Sequence, residues 1–299
     1  MAVPHGAQAQ ALTDRAAARV PPVALVLTAA TSVQFGAALA ATLFDDVGPA
    51  GASLLRIGLA ALFLWVALRP EPRRYAPADL RLAAAFGLSL GVMNLAFYEA
   101  LDRIPLGVAV TIEFAGPVGV AVALSRRPLD LVWIALAVGG IVILADPFGA
   151  GGLDPLGLLF VSVAAIAWAV YILVAARAAR RFKGLTGLAM ASAVAALVPL
   201  VPGIVSAGTD LLVPEMLALG AAVALLSSVI PYSLETTALR RIPPRVFGVL
   251  MSLEPAVAAL AGFLVLDQRL GARDLLAIGL VIAASVGVTR TSPSLAPEA

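Results

Sequence analysis

Four ionisable residues stand inside long apolar runs: Arg56, Glu113, Glu235 and Glu254. A charge among leucines, valines and alanines is costly, so it is kept where it pairs, meets water or handles a charged ligand. Glu113 lies one helical turn before Pro117, and Glu254 directly precedes Pro255. A proline inside a helix removes an N–H donor and frees a carbonyl in the preceding turn. A carboxylate beside a freed carbonyl makes a polar patch able to hold an ammonium group or a proton. Structural alternatives stand beside this reading. Arg56 and Glu113 would neutralise each other as a pair, Pro117 and Pro255 would bend their helices for packing only, and Glu235 would serve the nearby Arg240-Arg241 cluster.

Polar and amphipathic residues elsewhere could complete a cavity: Gln34, Asn94, Tyr98, Trp168, Tyr171 and Tyr232. Asn94 and Tyr98 are four residues apart and Trp168 and Tyr171 three apart, so on helices each pair shares a face. An interfacial belt is the alternative for the aromatic residues. The usual catalytic sets are missing. There is no cysteine, the single histidine is His5 in a polar N-terminal stretch, and neither a phosphate-loop lysine motif nor a nucleophile elbow occurs. The expectation is no enzyme, no metal and no cofactor.

These residues need a scaffold, and composition says which. Hydrophobic residues make up 61% of the chain and charged residues 13%. A soluble domain carries about 25% charged residues, so the fold class is an all-α polytopic membrane protein. Spanning the hydrocarbon takes about twenty apolar residues. Ten segments qualify, at 22–44, 48–68, 80–101, 105–124, 130–146, 155–177, 185–205, 214–239, 243–266 and 274–290. Pro49, Pro105, Pro155, Pro214 and Pro243 stand at their starts, where a missing N–H costs little. With the N-terminal tail (1–21) and the C-terminal tail (291–299) cytoplasmic, sixteen basic residues face inward and only Arg103, Arg269 and Arg273 outward. That asymmetry is the positive-inside signature. The basic residues are therefore topology signals, and nucleic acid is not expected as a partner.

The chain also repeats itself. Ala100-Leu101-Asp102-Arg103-Ile104-Pro105 precedes Pro117 as Ala238-Leu239-Arg240-Arg241-Ile242-Pro243 precedes Pro255, the second proline coming twelve positions after the first in each copy. Five spans per half is an odd number, so the second copy enters from the opposite side. The expected organisation is two inverted five-helix repeats, 22–146 and 155–290. Inverted repeats around a midplane site are the architecture of a secondary transporter. The fifth and tenth spans are rich in small residues (Gly139-Gly140, Gly279, Ala283-Ala284) and are assigned to packing rather than to substrate.

An ordered set of short passages carries a resemblance. In the first half it comprises Ser32-Val33-Gln34, Leu54-Leu55-Arg56, Met93-Asn94-Leu95-Ala96-Phe97-Tyr98, Glu113-Phe114-Ala115-Gly116-Pro117 and Ser125-Arg126-Arg127-Pro128. In the second half it comprises Trp168-Ala169-Val170-Tyr171, Pro231-Tyr232-Ser233-Leu234-Glu235 and Leu250-Met251-Ser252-Leu253-Glu254-Pro255. Together they resemble the EamA-repeat branch of the drug/metabolite transporter superfamily, and within it the Rht-type threonine/homoserine exporters. The resemblance implies ten helices in the bacterial inner membrane, a cavity lined by spans 1, 3, 4, 6, 8 and 9, and export of small amino acids. One departure is visible. Where the family usually carries a Gly-Glu pair after the ninth span, this chain has Asp267-Gln268-Arg269.

The expected activity is export by alternating access with protons as candidate coupling ions, from a monomer whose partners are the lipid bilayer and a small amino acid. Glu113 or Glu254 would meet the substrate ammonium. Asn94, Gln34, Tyr98 and Trp168, and less directly Arg56, would supply donors to its carboxylate. Export or facilitated passage of another metabolite or drug is the alternative. Because the chain has no native cysteine, single cysteines at 103 and 241 test the inversion directly. An impermeant maleimide added to intact cells should label position 103 and spare 241; labelling of both from one side refutes inverted halves.

Overall fold

Lipid offers the peptide backbone no hydrogen-bond partners, so a chain this apolar must satisfy its N–H and C=O groups within helices or a closed barrel. The computed structural model takes the first route. It describes residues 20–123, 129–145, 153–239 and 250–291, and all regular structure among them is helical. Arg126, Arg127, Arg240, Arg241, Pro243, Arg245 and most of both tails lie outside the described residues.

The helices are α1 (Pro22–Ala41), α2 (Phe44–Leu68), α3 (Pro77–Leu101), α4 (Leu106–Glu113), α5 (Ala115–Ala123), α6 (Asp130–Ala145) and α7 (Pro155–Arg181). They continue with α8 (Thr186–Leu197), α9 (Leu200–Ala207), α10 (Pro214–Ala224), α11 (Ile230–Leu239), α12 (Glu254–Leu266) and α13 (Ala272–Thr291). A single π turn, Leu225–Val229, joins α10 to α11. Pro22, Pro77, Pro155 and Pro214 each open a helix. Asp154 caps α7 by accepting from the Gly157 N–H at 2.7 Å.

Two segments differ from the sequence reading. Asp45 and Asp46 lie in the first turn of α2 instead of in a loop, where acidic side chains suit the helix dipole. Pro49 is inside that helix, and the turn accommodates it by a kink at Gly48, whose φ of 68° a side chain would resist. The seventh segment is not straight: it bends by 49° between α8 and α9, beside Pro199. Among the described residues five helices are long and apolar enough to cross a membrane, and the bent pair makes a sixth if it is one crossing. The shorter apolar helices lie in the fourth, fifth and ninth segments.

Large aliphatic side chains such as Leu62, Val66, Ile166, Val201 and Val205 point outward, with Val205 80% exposed. In water such a surface would aggregate, whereas lipid solvates it. The interior is built from small residues that let helices approach. α3 packs along α7 and α8, α1 along α11 and α12, α2 along α8 to α10, α4 against α12, α5 against α7, and α6 against α13. The principal apolar cluster joins Leu43, Val47, Tyr98, Leu101, Ile104 and Leu106, all at the loop end shared by α1, α2, α3 and α4.

The α4–α12 contact depends on Gly107, where a Cβ would lie 2.8 Å from the Ala259 Cα. Gly58 is the internal control, since a Cβ there meets only Leu54 Cδ1, at 3.9 Å. Gly107→Ala should therefore cost about 1–3 kcal/mol of stability through overpacking, while Gly58→Ala leaves it unchanged. Thermal unfolding of both variants in detergent tests the comparison.

Candidate functional site

Where α4 meets α5, the helix ladder is interrupted at Phe114, three residues before Pro117. The corresponding interruption in the ninth segment falls at Ser252-Leu253, just before Pro255. The prolines cause both. Pro117 cannot donate to the Glu113 carbonyl, nor Pro255 to the Met251 carbonyl, so each ladder restarts one turn later. Glu113 is thus the last residue of α4 and Glu254 the first of α12. Since α4 and α12 pack together, the two glutamates are brought to one region.

That region is a cavity of about 520 Å³. Glu113, Glu254, Glu235, Gln34, Arg56 and Asn94 line it with Pro117 and the aromatic residues Trp168, Tyr171 and Tyr232. Gln34, Arg56, Asn94, Glu113 and Glu254 are each at most 8% exposed, so their polar groups face the cavity or one another. Much of the remaining wall is apolar, with Met93, Phe97, Phe114 and Met251. Trp168 meets Phe114 edge-on at 5.1 Å, and Tyr171 leans on Phe86 at 5.4 Å, which fixes both rings.

Arg56 is held by neutral groups. Its Nε donates to Ser228 Oγ at 3.3 Å, Nη1 to the Tyr98 hydroxyl at 3.4 Å and Nη2 to the Ser227 carbonyl at 2.9 Å. The guanidinium also lies 5.5 Å from the centre of the Tyr98 ring. The local sequence explains the arrangement. Pro231 has no N–H for the carbonyl four residues back, that of Ser227, and Arg56 provides a donor there. The π turn presents this carbonyl sideways, and Gly36 lets α1 approach so closely that a Cβ would reach Leu226 and Ser227. Among the described residues no carboxylate lies within 4 Å of Arg56, so the Arg56–Glu113 ion pair is not formed.

The expected site residues therefore separate. Gln34, Asn94, Glu113, Pro117, Trp168, Tyr171, Tyr232, Glu235, Glu254 and Arg56 come together around the cavity. Tyr98 does not line it; the ring is fully buried behind Arg56 and serves as its acceptor, away from any belt. Pro255 is buried beside the cavity without lining it. Asn94 commits its Nδ2 to the Leu90 carbonyl at 2.8 Å, which leaves its side-chain oxygen for other partners. Two contributors were missed. Ser227 belongs to the wall, and so does Ser285 of α13, a helix assigned to packing alone. Ser285 shares a 2.7 Å hydrogen bond with Ser252 at the ninth-segment break. An adjacent serine pair in an otherwise apolar span was the available signal for Ser227-Ser228.

The two ends of the bundle differ. At the loop following α12, Gln268 Oε1 accepts from the Leu106 N–H at 2.9 Å, while the Gln268 N–H stays on the Gly262 carbonyl at 3.1 Å. This caps α4 from α12. At the opposite end, Asp79 of α3 grips Arg181 of α7 through both carboxylate oxygens, at 2.5 and 2.6 Å.

Residues 155–290 match the EamA-like transporter family. The threonine/homoserine exporter RhtA of Escherichia coli (strain K12) is 43% identical over 272 residues, which cover 90% of this chain and 92% of that protein. The chain belongs to the EamA-like transporter family. RhtA of Salmonella typhimurium (strain LT2) is similar to the same extent, 43% over 272 residues, with the same shares of each chain covered. A solved structure described only as "Crystal structure of protein" superposes with a TM-score of 0.56 over 93% of this chain and 99% of its own, at 19% identity, and shares the fold. An EamA-like transporter is a multi-pass membrane protein, not an enzyme. The described residues hold no cluster of three or more metal-ligating side chains.

Proposed function

We propose that this protein is a secondary transporter of the bacterial inner membrane that exports small amino acids of the threonine and homoserine kind. Ten spans form two inverted five-helix repeats, 22–146 and 155–290, with both tails cytoplasmic. The pairing of helices supports the repeat. Exchanging the halves turns the third-with-sixth contact into the eighth-with-first, and the fourth-with-sixth contact into the ninth-with-first, and all four are present. The fourth-with-ninth and fifth-with-tenth contacts map onto themselves. The interruptions before Pro117 and Pro255 support it as well, because they fall 138 residues apart, the same offset that separates Pro105 from Pro243.

The observation that carries the reading is a cavity within the helix bundle in which two carboxylates stand at interrupted helices beside other polar side chains. Glu113 and Glu254 are the acceptors for a substrate ammonium, and either exchanges that cation for a proton as the transporter alternates between the two compartments. Gln34 and the Trp168 indole N–H supply neutral donors. Glu235, at the cavity edge, lies on the path between cavity and cytoplasm. The curated relatives are named for threonine and homoserine export, which supports substrates of that size and polarity. A second reading, export of a bulkier or less polar metabolite, draws on the Met93, Phe97, Phe114 and Met251 wall.

Glu113→Gln and Glu254→Gln separate the readings. A charge-assisted hydrogen bond is worth about 1.5–3 kcal/mol, so each change should slow threonine or homoserine efflux from loaded cells roughly tenfold or more. Undiminished efflux in both variants removes the carboxylates from the mechanism. Cells overproducing the wild-type protein should also tolerate otherwise inhibitory threonine or homoserine.

A further inference from the structure

We propose that Arg56 is the carboxylate-binding group of the cavity, a role in which its two uncommitted N–H groups receive a small monocarboxylate. The amino-acid identity of that ligand rests on the function proposed above; the anion preference rests on Arg56 alone. A guanidinium carries five N–H donors. Three are occupied, by Ser228 Oγ, the Tyr98 hydroxyl and the Ser227 carbonyl. One donor on Nη1 and one on Nη2 are left, the pair of terminal nitrogens that a carboxylate engages in a forked arrangement.

The surroundings point the same way. Arg56 is 5% exposed yet forms part of the cavity wall. A purely structural arginine at this depth would be neutralised by a carboxylate, and three glutamates are available around the same cavity. None is within 4 Å of it among the described residues. All of its hydrogen-bond acceptors are uncharged, so no carboxylate is paired with it and the guanidinium forms part of the cavity wall. The other candidate donors are weaker. Tyr98 stands behind the guanidinium as its acceptor, and the Asn94 amide, with one N–H on the Leu90 carbonyl, has a single neutral N–H to offer. Ser228 and Tyr98 are positioning residues that hold the fork without lining the cavity, and Ser227 holds it through its carbonyl. With Glu113 and Glu254 on the same cavity, the two ends of a zwitterion meet opposite charges.

The test compares acids with their amides on purified wild-type protein, Arg56→Gln and Arg56→Lys. Threonine, homoserine and 2-hydroxybutyrate, each against its amide, are scored by thermal protection. Wild-type protein should respond to at least one acid at about tenfold lower concentration than to its amide. Arg56→Gln should bring that ratio close to one, and Arg56→Lys should retain part of it because the charge survives while the fork does not. The wild-type ratio needs no variant, so a misfolded substitution does not decide the matter. A wild-type protein without preference for any acid, or an undiminished ratio in a folded Arg56→Gln protein, overturns the assignment. Efflux is measured in parallel. An acid preference that depends on Arg56, in cells that export neither threonine nor homoserine, supports the anion site and refutes the exporter reading instead.

Discussion

A guanidinium buried without a carboxylate sets the terms for much of this structure. Removing such a charge from water costs several kcal/mol even after relaxation, and hydrogen bonds to neutral oxygens must offset it. The chain meets that demand with Ser228, the Ser227 carbonyl and Tyr98. Each comes at a structural expense. The Ser227 carbonyl is presented by a π turn and left by Pro231 in need of a donor. The turn must come close to α1, which is why Gly36 faces it without a side chain. Tyr98 must be buried in full, and the cluster around Leu43, Val47 and Leu101 does this. One arginine thereby ties α2 to α3 and to the α10–α11 junction.

The glutamates follow a different logic. They are placed by interruptions rather than by partners, Glu113 closing α4 and Glu254 opening α12. Because α4 and α12 pack side by side through Gly107 and Ala259, their glutamate-bearing ends share the cavity. Positive and negative groups therefore face one space without forming an ion pair.

Much of the site was legible because polar residues in an apolar chain are conspicuous. Arg56, Glu113, Glu235 and Glu254 stood out by cost alone, and Pro117 and Pro255 marked where helices would yield. Tyr98 was misplaced because its distance along α3 says nothing of the arginine beside it; spacing gives the face, and packing decides what that face meets. Ser285 was hidden for a related reason. A serine is a modest departure in a small-residue helix, and only the crossing of α13 over the ninth-segment break gives it Ser252 as a partner. The bend after α8 and the early start of α2 were not legible because hydropathy averages over the turns where Pro199 and Gly48 act.

The Asp267-Gln268 turn has its own bearing on how the protein moves. Asp267 adopts a left-handed conformation, φ 53°, that glycine enters without strain, and this directs Gln268 back across the bundle. Gln268 then holds α12 through its backbone and α4 through its side chain. The half-helices are clasped at one end by that amide and along their length by Gly107 against Ala259. Separating the two half-helices would therefore mean both breaking that hydrogen bond and opening the Gly107–Ala259 contact.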